Sequence, residues 1–135
     1  MVNSDSEESL SRVRAKIDQL VEDVGPEVAG ELARSFIDEL PQTLSQLHNH
    51  LKDNDLVELK RAAHSFKSMA HFYGLESVAQ VSQSLEHDAA IEKTDQLSTL
   101  METLEGSATQ GAAQVADLFD AGYGIQIPPP ATGRR

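Results

Sequence analysis

The chain has 135 residues, enough for one domain that buries roughly two-thirds of the surface its unfolded form exposes, so a single core is expected. Its 22 acidic against 11 basic residues give a formal charge of -11, which repels nucleic-acid phosphates and anionic lipid surfaces alike. The lack of cysteine removes disulfides, thiol catalysis, zinc-thiolate and iron–sulfur sites together, and no hydrophobic run approaches the roughly 18 residues of a membrane span.

The start, MVNSDSEESL, has neither the basic nor the apolar part of a signal peptide, and the chain reads as cytoplasmic. A first helix is expected over about residues 5 to 23. There Leu10, Val13, Ile17, Leu20 and Val24 share one helical face, and Ser4 and Glu7 have capping-box spacing. Gly25-Pro26 breaks the chain and offers Pro26 as the first residue of a second helix, from about 27 to 52. Its apolar stripe is Val28, Leu32, Phe36, Leu40, Leu44, Leu47 and Leu51, and Pro41 inside it predicts a kink or short break.

Asp55 is placed to cap a third helix, with Glu58 completing the box. The stripe of that helix is Leu56, Leu59, Ala63, Phe66, Ala70 and Tyr73, and Gly74 ends it. A fourth helix, about 75 to 91, turns Leu75, Val78, Val81, Leu85 and Ala89 inward. Thr94 or Asp95 opens a fifth, which carries Leu97, Met101, Leu104, Ala108, Val115 and Leu118 to about residue 120 and is weakened locally by Gly106 and Gly111. No stretch alternates with period two. The expected class is therefore all-α: an antiparallel four-helix bundle with an additional N-terminal helix, occupying residues 1–121. Residues 122–135, GYGIQIPPPATGRR without the preceding alanine, form a flexible Pro-rich C-terminal tail.

Five histidines are the candidates for chemistry near neutral pH. On the third helix His64 lies about 120° around the axis from the apolar stripe, so it should face solvent. Lys60, Lys67, Ser68 and His71 share that outward strip, with Arg61 at its flank. A neutral imidazole is a nucleophile, and an ammonium one turn away disfavours the imidazolium and can balance the charge of a phosphoryl group on the ring. From spacing alone, however, a surface His beside Lys is more often solvated decoration.

Metal binding lacks the pattern it needs. No histidine is preceded three residues earlier by an acid, and His64 and His71 stand two turns, about 10 Å, apart. His48, His50 and His87 read as structural, and Glu58, Glu76, Glu86, Asp88 and Glu92 as a solvated face. Neither a P-loop nor a glycine-rich loop precedes a helix, so no nucleotide site and no cofactor are expected.

The stretch AAHSFKSMAHFYGL, Ala62 to Leu75, resembles the signature of the histidine phosphotransfer (HPt) family. That pattern is a phospho-accepting His, then an apolar residue two on, Lys three on, Gly four on, a small residue six on and Gly ten on. The counterparts are His64, Phe66, Lys67, Ser68, Ala70 and Gly74; Ser68 departs from the pattern, as does His71 at a position more often small. The likeness extends more weakly to the stripe with Phe36 and to Leu85-Glu86, covering about residues 5 to 120 in helix layout.

The resemblance implies a phosphorelay intermediate. His64 would accept a phosphoryl group from a receiver domain's aspartyl phosphate and pass it to another receiver, while Lys67 stabilises it. Ser68 and Gly74 would shape the docking surface, and Lys60 and His71 would add contacts. Met69 and Phe72 are candidates for receiver docking, though such residues are more often core. The implied partners are the receiver domain of a hybrid sensor histidine kinase and that of a response regulator, met by a monomer, with magnesium supplied by the receiver. A dimerising kinase helix fits less well, because Ser65 follows His64 where that family places Glu, and no ATP-binding domain is present. The alternative of another class is a phosphorylation-independent helical module that binds receiver domains or kinases.

Overall fold

The computed structural model describes residues 4–128, with side chains from Glu7 onward. Five helices follow one another: α1 (Ser4–Val24), α2 (Pro26–Lys52), α3 (Leu56–Phe72), α4 (Glu76–Ala90) and α5 (Leu97–Tyr123). Each of the helices α2 to α5 packs on its chain neighbour, and α5 returns to α2, which closes a four-helix ring. Short turns between them make successive helices antiparallel. The additional helix α1 lies against α2 and α5, so the class is the expected all-α bundle.

The turns follow from local chemistry. Gly25 takes φ 90°, a conformation that side chains resist, and Pro26 behind it is the first helical residue of α2. Asp55 caps α3 by accepting from the Glu58 N–H at 3.3 Å. The return half of the box is not formed, because the Asp55 N–H donates to the His50 carbonyl at 2.8 Å and the Glu58 carboxylate pairs with Arg61 at 3.0 Å. Gly74, at φ 73°, ends α3, with the Leu75 N–H donating to the Ala70 carbonyl at 2.8 Å. The side chain of Ser4, and with it the box expected at the start of α1, lies outside the described residues.

Four expectations need correction. Helix α2 continues through Pro41 without the short break that the proline allowed. Its buried face in the first half is Ala29, Gly30, Ala33 and Ile37, while Val28 and Leu32 are 47% and 43% exposed. Small residues line this face because neighbours come close: a Cβ on Gly30 would sit 3.1 Å from Cγ2 of Ile125. Helix α5 starts at Leu97, behind Gln96 and not behind a Thr94 or Asp95 cap, and it runs without interruption past Gly106 and Gly111. Gly111 is buried, with Leu75 filling the space of its missing side chain.

The fourth correction concerns the C-terminal stretch. Helix α5 extends to Tyr123, and Gly124 at φ 68° turns the chain back across α2. Ile127 is buried there, and Arg34 donates from Nη2 to the Gln126 carbonyl at 3.1 Å. The Tyr123 hydroxyl donates to Asp18, tying α5 to α1. Residues 122 and 123 thus end α5, and residues 124–128 are a strap held by two apolar side chains and a charged donor, not a loose tail. Pro129 and Pro130 lie outside the described residues.

Candidate functional site

The candidate site sits on the seam between α3 and α4, the most closely joined pair of helices. Period 3.6 sets it up on α3, where Leu59, Ala63, Phe66 and Ala70 are buried and the opposite strip faces water. The His64 side chain on that strip is 60% exposed, whereas that of Lys67, one turn on, is only 23% exposed. Lys67 leans toward α4.

The two basic groups meet on one carboxylate. His64 Nδ1 lies 2.9 Å from Oε2 of Glu86, and Lys67 Nζ lies 3.0 Å from Oε1 of the same residue. The Glu86 side chain is 20% exposed. Burial alone would raise its carboxyl pKa, but the Lys67 ammonium, aided by His64, holds the pKa below the ordinary carboxylate value. An ionised carboxylate can only accept, so Nδ1 carries the hydrogen and donates it to Glu86. In the neutral ring the lone pair then belongs to Nε2, on the edge away from Glu86. Fixing the tautomer in this way makes Nε2 the nucleophilic atom.

Glu86 was given no role from the sequence, where it entered the family likeness only weakly, as Leu85-Glu86, and otherwise read as part of a solvated acidic face. Its signal was present all the same. Ser82, Leu85 and Ala89 of α4 are buried, and position 86 falls in the same stripe, one turn beyond Ser82 and beside Leu85. A carboxylate at an interface position needs a cation opposite it. Which cation depends on the register of α3 against α4, and local spacing does not carry that.

The other candidate residues are distributed unevenly. Lys60, Ser68 and His71 are exposed along the His64 strip. Arg61, also exposed, is engaged with Glu58. Phe72 is 49% exposed, edge-on to Tyr73 with ring centroids 4.9 Å apart, while Met69 is half-buried against the core. Gly74 does not shape the outer surface. It is buried, and a Cβ there would stand 2.9 Å from the Arg12 carbonyl oxygen, so its role is to let α1 approach the end of α3. His48 pairs with Glu105 across α2 and α5 at 3.4 Å, His50 is half-buried and His87 exposed. No three His, Cys, Asp or Glu side chains among the described residues form a group able to hold a metal ion.

Additional apolar surface lies near the strip. Val57, 67% exposed, belongs to the same face of α3 as His64. Phe36 of α2 stacks on Tyr73 at 4.9 Å, which links Phe72 to the exposed Leu32 and Val28 one and two turns before Phe36. No helix among the described residues is long and apolar enough to cross a membrane.

Neither a search of curated proteins nor a search of solved structures found a match to this chain. A family model, Hpt domain, matches residues 31–120. That span takes in most of α2, all of α3 and α4, and α5 to within a turn of its end, leaving α1 and the strap outside. A five-helix fold with a solvent-facing histidine on α3, together with this match, settles the class: the chain belongs to the Hpt domain family, the histidine phosphotransfer domains of phosphorelays.

Proposed function

We propose that His64 is the phosphoryl carrier of this domain, loaded from the aspartyl phosphate of one receiver domain and unloaded onto the aspartate of another. The observation that carries this reading is the shared carboxylate of Glu86, which accepts from Nδ1 of His64 and holds Lys67 beside the ring. Nε2 is thereby left with its lone pair on a ring open to water, and an ammonium stands within one turn to balance an incoming phosphoryl group. A module that only bound partners would have no need for a carboxylate desolvated between these two side chains.

The receiver supplies the rest. In-line transfer between an aspartate and Nε2 depends on alignment, and the chemistry that this domain contributes is a nucleophile and a charge. Lys60 and Ser68 stand one turn either side of His64 and His71 two turns on, all three exposed. Val57 and Phe72, with Leu32 and Val28 of α2, offer the apolar contact area that a receiver surface would cover. The partners in this reading are the receiver of a hybrid sensor histidine kinase and that of a response regulator, and the domain meets them as a monomer in the cytoplasm.

Transfer of label tests the reading. A radiolabelled receiver phosphate should pass to the full chain, giving a product stable in base and lost in acid as a phosphoramidate is, and His64→Gln should abolish labelling. A wild-type chain that takes no label from a panel of receivers overturns the carrier role, and a His64→Gln chain that still binds and labels moves it to another residue.

A further inference from the structure

The carrier reading leaves open what Glu86 does once the ring is loaded, and the geometry bears on that directly. In loading, the Nε2 lone pair attacks phosphorus while the P–O bond to the donor aspartate breaks, its electron pair going to that carboxylate. Nδ1 keeps its hydrogen, so the product is an N-phosphoimidazolium. In unloading, an oxygen of the acceptor aspartate forms the new P–O bond, the Nε2–P electron pair returns to the ring, and the neutral Nδ1–H imidazole is regenerated. No proton is exchanged with solvent over the cycle. If Nδ1 lost its proton while loaded, the ring would have to leave as an imidazolate, a far poorer leaving group.

We propose that Glu86 is a positioning residue that retains the proton on Nδ1 of loaded His64, so that the phosphorylated ring stays a cation and remains a good leaving group above neutral pH. The proposal rests on the carrier reading and assigns the control of phosphoryl release to the seam between α3 and α4. Three observations support it. The carboxylate oxygen is 2.9 Å from Nδ1 and on the side of the ring away from the reacting atom. Glu86 is largely shielded from water, which strengthens its field at the ring. Lys67 stands 3.0 Å from the second oxygen and keeps the carboxylate ionised.

The surroundings add no competing partner. Among the described residues Glu86 is the one group of α4 in ion-pair contact with His64, and α2, the other helix against α3, supplies none. On α3 itself, Lys60, Arg61, Lys67 and His71 all lie within two turns of the ring. These are cationic or neutral, so each lowers the proton affinity of the loaded ring or leaves it unchanged. Glu58, the acid of α3 within the same reach, is paired with Arg61 at 3.0 Å, and Glu86 is the carboxylate in contact with the ring.

The test loads the full chain chemically with potassium phosphoramidate, which needs no receiver, and follows loss of the phosphoryl group from His64 by phosphorus NMR from pH 5 to 10. In the wild type the fall in rate with rising pH should come about one unit later than in Glu86→Gln, so that rates differ about tenfold at pH values above both inflexions. A loaded peptide of residues 60–69, which lacks Glu86, should behave like the Gln variant and provides the comparison even if that variant does not fold. Coincident profiles for wild type, variant and peptide overturn the proposal.

Nitrogen NMR of unloaded wild type gives an independent reading: the Nδ1–H tautomer is expected, and a dominant Nε2–H tautomer overturns the proposal. Receiver labelling separates it from the carrier role. A chain that labels from receivers but shows coincident profiles refutes the proposal alone, whereas a displaced profile without receiver labelling refutes the carrier role and leaves the effect of Glu86 on the ring standing. If His64 takes a phosphoryl group from neither source, both fall.

Discussion

Lys67 and Glu86 form a pair whose side chains are shielded to nearly the same degree, 23% and 20% exposed. Removing the ammonium leaves a shielded carboxylate with only His64 to satisfy it. Lys67→Ala is expected to slow phosphoryl transfer by about tenfold or more, by analogy with the loss of one donor to a developing anion. The helical spectrum should stay unchanged, because Lys67 is not one of the buried residues of α3. A collapse of that spectrum would make Lys67 a structural residue.

The same carboxylate sets an acid limit. Its folded-state pKa lies below the unfolded value, so its stabilising effect is fully present above the ordinary carboxylate range and is lost as pH falls through the folded pKa. Urea unfolding between pH 7 and 3 should therefore show an acid-side loss of stability that is smaller in Glu86→Gln. An unchanged slope in the variant would mean that other carboxylates account for the loss.

At this scale the histidine and lysine were legible in the sequence, because both belong to one helix and helical periodicity relates them directly. Glu86 was not, because its partner lies on another helix, 22 positions away, and only the packed register joins them.

Among the elements, α3 followed its sequence pattern, with Leu59, Ala63, Phe66 and Ala70 of the expected stripe all buried and Leu56 half-buried. Helix α2 did not, and the reason is instructive. Val28 and Leu32 have the larger side chains, yet Ala29, Gly30 and Ala33 are the residues that go inside, because the neighbouring chain comes too close for anything bigger. A hydrophobicity pattern ranks the large residues first and so rotates the inferred face.

Gly74 shows a related limit. Its place in the motif suggested a surface role, and its φ of 73° was foreseeable from the helix end, but the backbone of α1 pressing on it was not. Gly74→Ala should destabilise the domain by about 1–3 kcal/mol, through the left-handed backbone and the contact with the Arg12 carbonyl. Denaturant unfolding measures it, and a neutral effect would show that α1 can shift away at little cost.

For the whole molecule, two segments that lie outside the span matching the family, α1 and the strap after Tyr123, pack onto the closed ring of α2 to α5. The strap was hidden in the sequence because glycine and proline dominate its composition, while the two isoleucines that anchor it are separated by a single glutamine. Ile127 is 7% exposed, and Ile127→Ala should cost about 2 kcal/mol, at the low end for a buried isoleucine because the site lies at the margin of the core. The thermal midpoint should fall while labelling of His64 is retained. If labelling falls in step with stability, the strap supports the phosphoryl site as well as the fold.

The strap runs over α2 near its start, whereas His64 and Glu86 occupy the seam of α3 and α4. The chain also contains no cysteine. A single thiol introduced by Gln126→Cys, at an exposed position whose backbone makes the tie to Arg34, would thus accept one fluorophore on a different face of the molecule from the imidazole. Association with receivers can be watched by anisotropy from that dye, in real time, with the reacting surface left bare.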